Sequence, residues 1–184
     1  SLVETHAALA ETLERYNALV RFNPALAKPH PEVTRPMLQA YHTAAETSIF
    51  SVSGYVDDEH LVTRSAMKVL QRPRKVGIGL CFEGREPEPR VLEQLRALFT
   101  KVGYRGAFEA EFIADGDRRM LIDVNPRFYS QMGFDIARGN PLPYVIALVC
   151  EGRTDEASRE LAKATAWRGE GTYVYCHEMM LNLV

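Results

Sequence analysis

The sequence predicts an α+β fold built on an antiparallel sheet. Three observations carry this: β-branched and aromatic residues alternate in short runs, polar turns join those runs into hairpins, and apolar stripes of helical period lie between and after the hairpins. Residues 4–20 read as the first helix, with Ala8, Leu9, Leu13, Tyr16 and Val20 close to one face. Pro24, Pro29, Pro31 and Pro36 make 21–36 a connector without regular structure. The run Ile49-Phe50-Ser51-Val52-Ser53-Gly54-Tyr55-Val56 is a strand, Asp57-Asp58-Glu59-His60 a polar turn, and Leu61-Val62-Thr63 the start of a returning strand. A basic loop at 70–79 ends in Gly77 and Gly79, and a strand at 78–82 follows it.

Pro87 and Pro89 then introduce a helix with Val91, Leu92, Leu95, Leu98, Phe99 and Val102 on one stripe, and Gly103 stands where a C-terminal glycine cap belongs. Strands at 107–113 and 119–124 flank a turn at Asp115-Gly116-Asp117. Short helices around 130–138 and 142–151, punctuated by Gly139 and Gly152, precede a helix at 154–164 and a last strand at 172–177.

The chain has 184 residues, enough for one domain with a core or for two small lobes, and its 46% apolar and 25% charged residues are those of a globular protein. A formal charge of −2 points to neither a nucleic-acid nor a membrane partner. No apolar run has the length of a bilayer span, and no signal peptide is legible. Cys81, Cys150 and Cys176 are distant and odd in number, which predicts reduced thiols and a cytoplasmic location. The histidines show no zinc spacing. Both ends read as cut from something longer, since the chain opens on Ser1 and Val184 follows the apolar Met179-Met180-Leu181; a trimmed tag is the bland alternative at the start.

The chemistry concentrates in the second hairpin. Strand alternation puts Glu109, Glu111 and Ile113 on one face and Phe108, Ala110 and Phe112 on the other, while Asp123 and Asn125 share a face on the next strand. With a turn near 115–118, antiparallel pairing brings Glu111 beside Asp123 and Asn125. Carboxylates facing each other across strands repel unless a cation sits between them, and magnesium, which takes oxygen ligands and shares its shell with phosphates, suits the position. Arg127 follows Pro126 near the same end, ready for forked contact with a phosphate or carboxylate. The plain alternative is a solvated face of a half-exposed sheet.

The two strands resemble the C-terminal lobe of ATP-grasp enzymes, in which an acid or amide on one strand precedes an Asp/Glu-x-Asn-x-Arg element on the next; here that element is Asp123-Val124-Asn125-Pro126-Arg127. Phe128-Tyr129-Ser130-Gln131 and Gly139-Asn140-Pro141-Leu142-Pro143-Tyr144 are similar to the branch of the carbamoyl-phosphate synthase large chain and the small carboxylate–amine ligases, and the similarity covers roughly residues 36–150. The resemblance implies a remnant of the first ATP-grasp lobe and connector at 1–36, the C-terminal lobe at 37–152, and a C-terminal extension at 153–184. Glu111, Asp123 and Asn125 would be the metal ligands, with ATP and Mg2+ or Mn2+ as cofactors, and Arg127 the catalytic residue.

Pro36-Met37-Leu38-Gln39-Ala40-Tyr41-His42 resembles the interlobe hinge that holds adenine through backbone groups, which makes Gln39 a nucleotide-binding residue, although Ala40 stands where the family often has an acid. Glu46 falls at the ribose or adenine position, Lys68 is either a phosphate-binding or a solvated strand lysine, and Arg72, Arg74 and Lys75 form either an anion-binding loop or a solvated turn. The function implied is an ATP-dependent carboxylate–amine or ammonia ligase acting through an acyl phosphate. Its partners would be small-molecule carboxylate and amine substrates and the missing N-terminal lobe, in whose absence this chain would be inactive. A non-catalytic ATP-grasp-type binding or assembly module is the first alternative. A metal-dependent phosphodiesterase is weaker, because no histidine or further acid accompanies the hairpin at suitable spacing.

Overall fold

The computed structural model describes residues 3–22, 25, 28–29, 36–72, 77–166 and 171–174, without the side chains of residues 19, 20, 22 and 72. Arg74, Lys75, Trp167 and positions 175–177 of the expected last strand lie outside the described residues. The chain divides into two compact units between Thr43 and Ala44. In the first, helix α1 (His6–Phe22) opens at Thr5, whose Oγ1 accepts a hydrogen bond from the Ala8 N–H at 3.1 Å. Leu9, Leu13, Tyr16, Met37 and Leu38 line a shallow groove in this unit.

A single 3₁₀ turn (Thr43–Glu46) spans that boundary and leads into the second unit. That unit continues as β1 (Ile49–Val56), β2 (Leu61–Arg72), β3 (Ile78–Arg85), α2 (Pro89–Val102), β4 (Gly106–Asp115) and β5 (Arg118–Asn125). Three helices follow, α3 (Met132–Ala137), α4 (Leu142–Cys150) and α5 (Thr154–Ala166), and then β6 (Thr172–Val174). The fold is α+β: the strands form one six-stranded sheet in the order β5-β4-β1-β2-β3-β6, with every neighbouring pair antiparallel.

Alternation decides what each face of this sheet meets. Phe50, Val52, Phe108, Ala110 and Phe112 pack against Val91, Leu95 and Phe99 of α2, the stripe legible in the sequence. Each of those three helix side chains contributes about 1.5–3 kcal/mol by leaving water. Gly103 ends α2 at φ 68°, a left-handed conformation that its missing Cβ makes accessible, and its N–H meets the carbonyls of the last turn. On the opposite face, Tyr55, Val62 and Ala107 meet Leu142, Val145 and Leu148 of α4 and Ala157, Leu161 and Ala164 of α5. The sheet is thus covered on both sides at this end.

The basic loop is shorter than the sequence predicts. Pairing of Gln71 with Gly79 and of Arg72 with Ile78 draws residues at both ends into β2 and β3, with register shifts around Leu70. Cross-strand backbone bonding overrides the turn signal there.

Candidate functional site

Hairpin β4–β5 sets the site. Its register puts Glu111 directly opposite Asp123 and Glu109 opposite Asn125. A shift next to Glu111 passes from the Glu111–Asp123 pair to Phe112–Leu121, leaving Ile122 as an extra residue in β5. This bulge keeps Asp123 beside Glu111 while the strand beyond it stays paired. Because Phe108, Ala110 and Phe112 turn toward α2, Glu109 and Glu111 stand on the other face.

That face carries a cleft of about 400 Å³ lined by Lys68, Gly77, Ile78, Gly79, Phe82, Glu109, Glu111, Asn125, Arg127, Ser130 and Gln131. Gly79 is required by close approach: a Cβ there would lie 2.3 Å from the Phe82 ring and 3.1 Å from Lys68 Cε. Lys68 crosses β1 to reach Glu111, Nζ to Oε1 3.0 Å, with side-chain exposures of 8% and 22%. It is therefore a buried, paired lysine, which corrects the solvated-strand reading. A cation already stands at the carboxylate where the sequence asked for one.

Around this pair the amides are ordered. Asn125 Nδ2 donates to Asp123 Oδ2 at 3.1 Å and, at 3.4 Å, to Glu109 Oε2. Arg127 donates to Asn125 Oδ1 at 3.0 Å and to the Phe128 carbonyl at 2.8 Å, so its guanidinium is held at the cleft by neighbours in its own segment. Glu109 is only 5% exposed and accepts a short hydrogen bond from Gln131 Nε2. Burial, and then the charge of Glu111, push the Glu109 carboxyl up to about 7.

Beneath the cleft lies a fully internal polar network. Asp135 accepts from Ser53 Oγ at 2.5 Å, Tyr129 OH at 2.6 Å and Arg138 Nη2 at 2.6 Å. Burial, and then the Asp135 charge, hold the Tyr129 phenol well above its usual range. Arg138 also donates to the Ser65 carbonyl at 2.8 Å, while Arg64 donates to the Arg138 and Ala164 carbonyls at 2.8 and 2.7 Å. Burial pushes the Arg64 guanidinium down. The network pins the segment 129–138 to β1 and β2 and so fixes Gln131 at the cleft floor.

Of the residues singled out from the sequence, Glu111, Asn125, Arg127 and Lys68 line one cleft, and Asp123, itself exposed, adjoins it through Glu111. Glu46 closes the 3₁₀ turn and is not among the lining residues; its carbonyl accepts from Gln71 Nε2 at 3.2 Å. Gln39 is exposed in the coil of the first unit. Among the described residues no group of three or more His, Cys, Asp or Glu side chains is placed to hold a metal ion; the hairpin set is two carboxylates and an amide. Sequence reasoning gave no role to Gln131, Ser53, Asp135, Arg138 or Arg64. Asp135 and Arg138 stand three apart on one helical face, a spacing that signals pairing but not burial.

No helix among the described residues is long and apolar enough to cross a membrane. No protein-family model matches the chain, and no curated protein does. Among solved structures the chain is similar to a single-chain, multi-domain long-chain acyl-CoA carboxylase, at 19% identity and a TM-score of 0.41. The likeness covers 72% of this chain and 12% of that one. So loose a likeness carries no argument about activity.

Proposed function

We propose that the second unit is the nucleotide- and metal-binding part of an ATP-dependent carboxylate–amine or ammonia ligase of ATP-grasp type. The observation that supports this best is the register that sets Glu111 against Asp123 beside Asn125, at a cleft shared with Arg127 and Lys68. The two directly opposed acids fit a hard divalent cation, and the Asn125 oxygen, which here accepts from Arg127 while Nδ2 faces Asp123, would join them once the amide is turned. Glu111, Asp123 and Asn125 would hold Mg2+ or Mn2+, which when bound supplies charge neutralisation for the terminal phosphates of ATP.

Arg127 presents a planar fork to the transferring phosphoryl group or the acyl phosphate. Lys68 shifts from Glu111 toward phosphate, its charge serving whichever anion is uncovered. Glu46 in the second unit and Gln39 in the first are each assigned to nucleotide binding by the sequence resemblance alone. In this chemistry a carboxylate attacks the terminal phosphorus of ATP and ADP leaves; an amine then attacks the resulting acyl phosphate, giving up a proton as phosphate leaves and the amide forms. The carboxylate and amine substrates and an N-terminal lobe complete the enzyme in this reading.

A Mn2+ titration of the wild-type chain beside Asp123→Ala/Asn125→Ala, with and without nucleotide, tests the assignment. Binding should be lost in the double variant and strengthened by nucleotide in the wild type; equal binding by both forms would sink it. The Lys68–Glu111 ion pair favours one second reading, a non-catalytic ATP-grasp-type module, because it neutralises a ligand carboxylate without metal. ATP-dependent phosphate release by the protein extended upstream separates the two.

A further inference from the structure

Among the described residues of the second unit two carboxylates are buried, Asp135 and Glu109, and they differ in one respect. Asp135 is matched by the Arg138 guanidinium at 2.6 Å. Glu109 has no cation at ion-pair distance among the described residues: Lys68, which lines the same cleft, is bound to Glu111, and the hydrogen-bond donors to Glu109 are the neutral amides of Gln131 and Asn125. Yet Glu109 lines the cleft. A buried, unmatched carboxylate is costly, and a ligand that brings a positive charge and N–H donors relieves that cost. One further acceptor at the cleft is Gln131 Oε1, which accepts from Ser130 Oγ at 3.4 Å.

We propose that Glu109 is the anchoring group for a protonated amine, an ammonium ion or the R–NH3+ end of a small primary amine, at the cleft floor. Gln131 is its positioning residue: its Nε2 fixes the Glu109 carboxylate, and its own place is set by the Asp135 network. That this amine is a ligation substrate rests on the ligase reading above; that the site takes an N–H cation rests on Glu109 alone.

The test uses the isotope-labelled chain and two salts at equal ionic strength, methylammonium chloride and tetramethylammonium chloride. The readout is the side-chain amide resonances of Gln131 together with the backbone amides of Ser130 and Gln131. Methylammonium should shift them saturably, tetramethylammonium, which has no N–H, should not, and Glu109→Gln should weaken the response on the order of tenfold or more. Matching responses to both salts overturn the proposal, and that comparison needs only the wild-type chain. An undiminished response in a Glu109→Gln sample with a dispersed, folded spectrum overturns it equally. Mn2+ binding to the wild-type chain separates the failures: no amine response with Mn2+ bound removes only the Glu109 site, whereas an amine response without Mn2+ binding upholds that site and removes the ligase reading.

Discussion

Replacing Asp135 with asparagine removes one charge from an ion pair whose side chains are 0% and 3% exposed. The magnitude follows from what is left behind. Arg138 loses its counter-charge while its guanidinium stays internal, and breaking a buried pair from one side costs about 3–5 kcal/mol. The asparagine also turns an amide toward groups that all donate: Ser53, Tyr129 and Arg138 supply three donors to a carboxylate, and the new side chain has one acceptor oxygen. At least one donor is left unsatisfied, a penalty of about 1–3 kcal/mol contained within that range. Against a total stability of about 5–15 kcal/mol the variant should lie close to its unfolding threshold. Urea titration followed by far-UV circular dichroism should show the transition midpoint falling steeply. In the folded fraction, the Gln131 side-chain resonances should broaden, because Asp135 holds the segment that carries Gln131. A loss below about 1 kcal/mol would refute the reasoning, since it would mean that Arg138 reaches water or another anion. Asp135→Leu combined with Arg138→Met should recover part of the loss, because it removes both charges together.

Other outcomes follow from the same geometry. In EDTA, stability should fall as pH rises from about 4.5 to about 7, because the folded state keeps the Glu109 proton to a higher pH than the unfolded chain does. The full effect is about 3 kcal/mol, and Glu109→Gln should flatten the profile in urea titrations across that window. Leu95→Ala opens a cavity between α2 and the sheet and should cost about 2–5 kcal/mol in the same assay, with an unchanged cleft. Gly103→Ala meets open space but forces a side chain into a left-handed conformation, so it should cost about 1 kcal/mol. This chain alone should bind MgATP only near the millimolar range by calorimetry, roughly a thousandfold weaker than a version extended upstream through a first lobe. Micromolar binding by the short chain would overturn the lobe assignment.

Much of the fold was written locally. The period-2 runs of β1 and of hairpin β4–β5, the Val91–Leu95–Phe99 stripe and the glycine that ends it report their structure within a few residues, so the sequence by itself determined the α+β class, the antiparallel hairpins and the convergence of Glu111 with Asp123. The order of the six strands was decided by tertiary structure alone, because β1 pairs with β4 through contacts fifty or more residues apart. So were the ion pair that brings Lys68 across β1 to Glu111 and the burial of Asp135, Arg138 and Glu109. A charged residue looks the same in sequence whether it meets water or a partner from another element. Only packing fixes which carboxylate is matched by a cation and which is left facing the cleft.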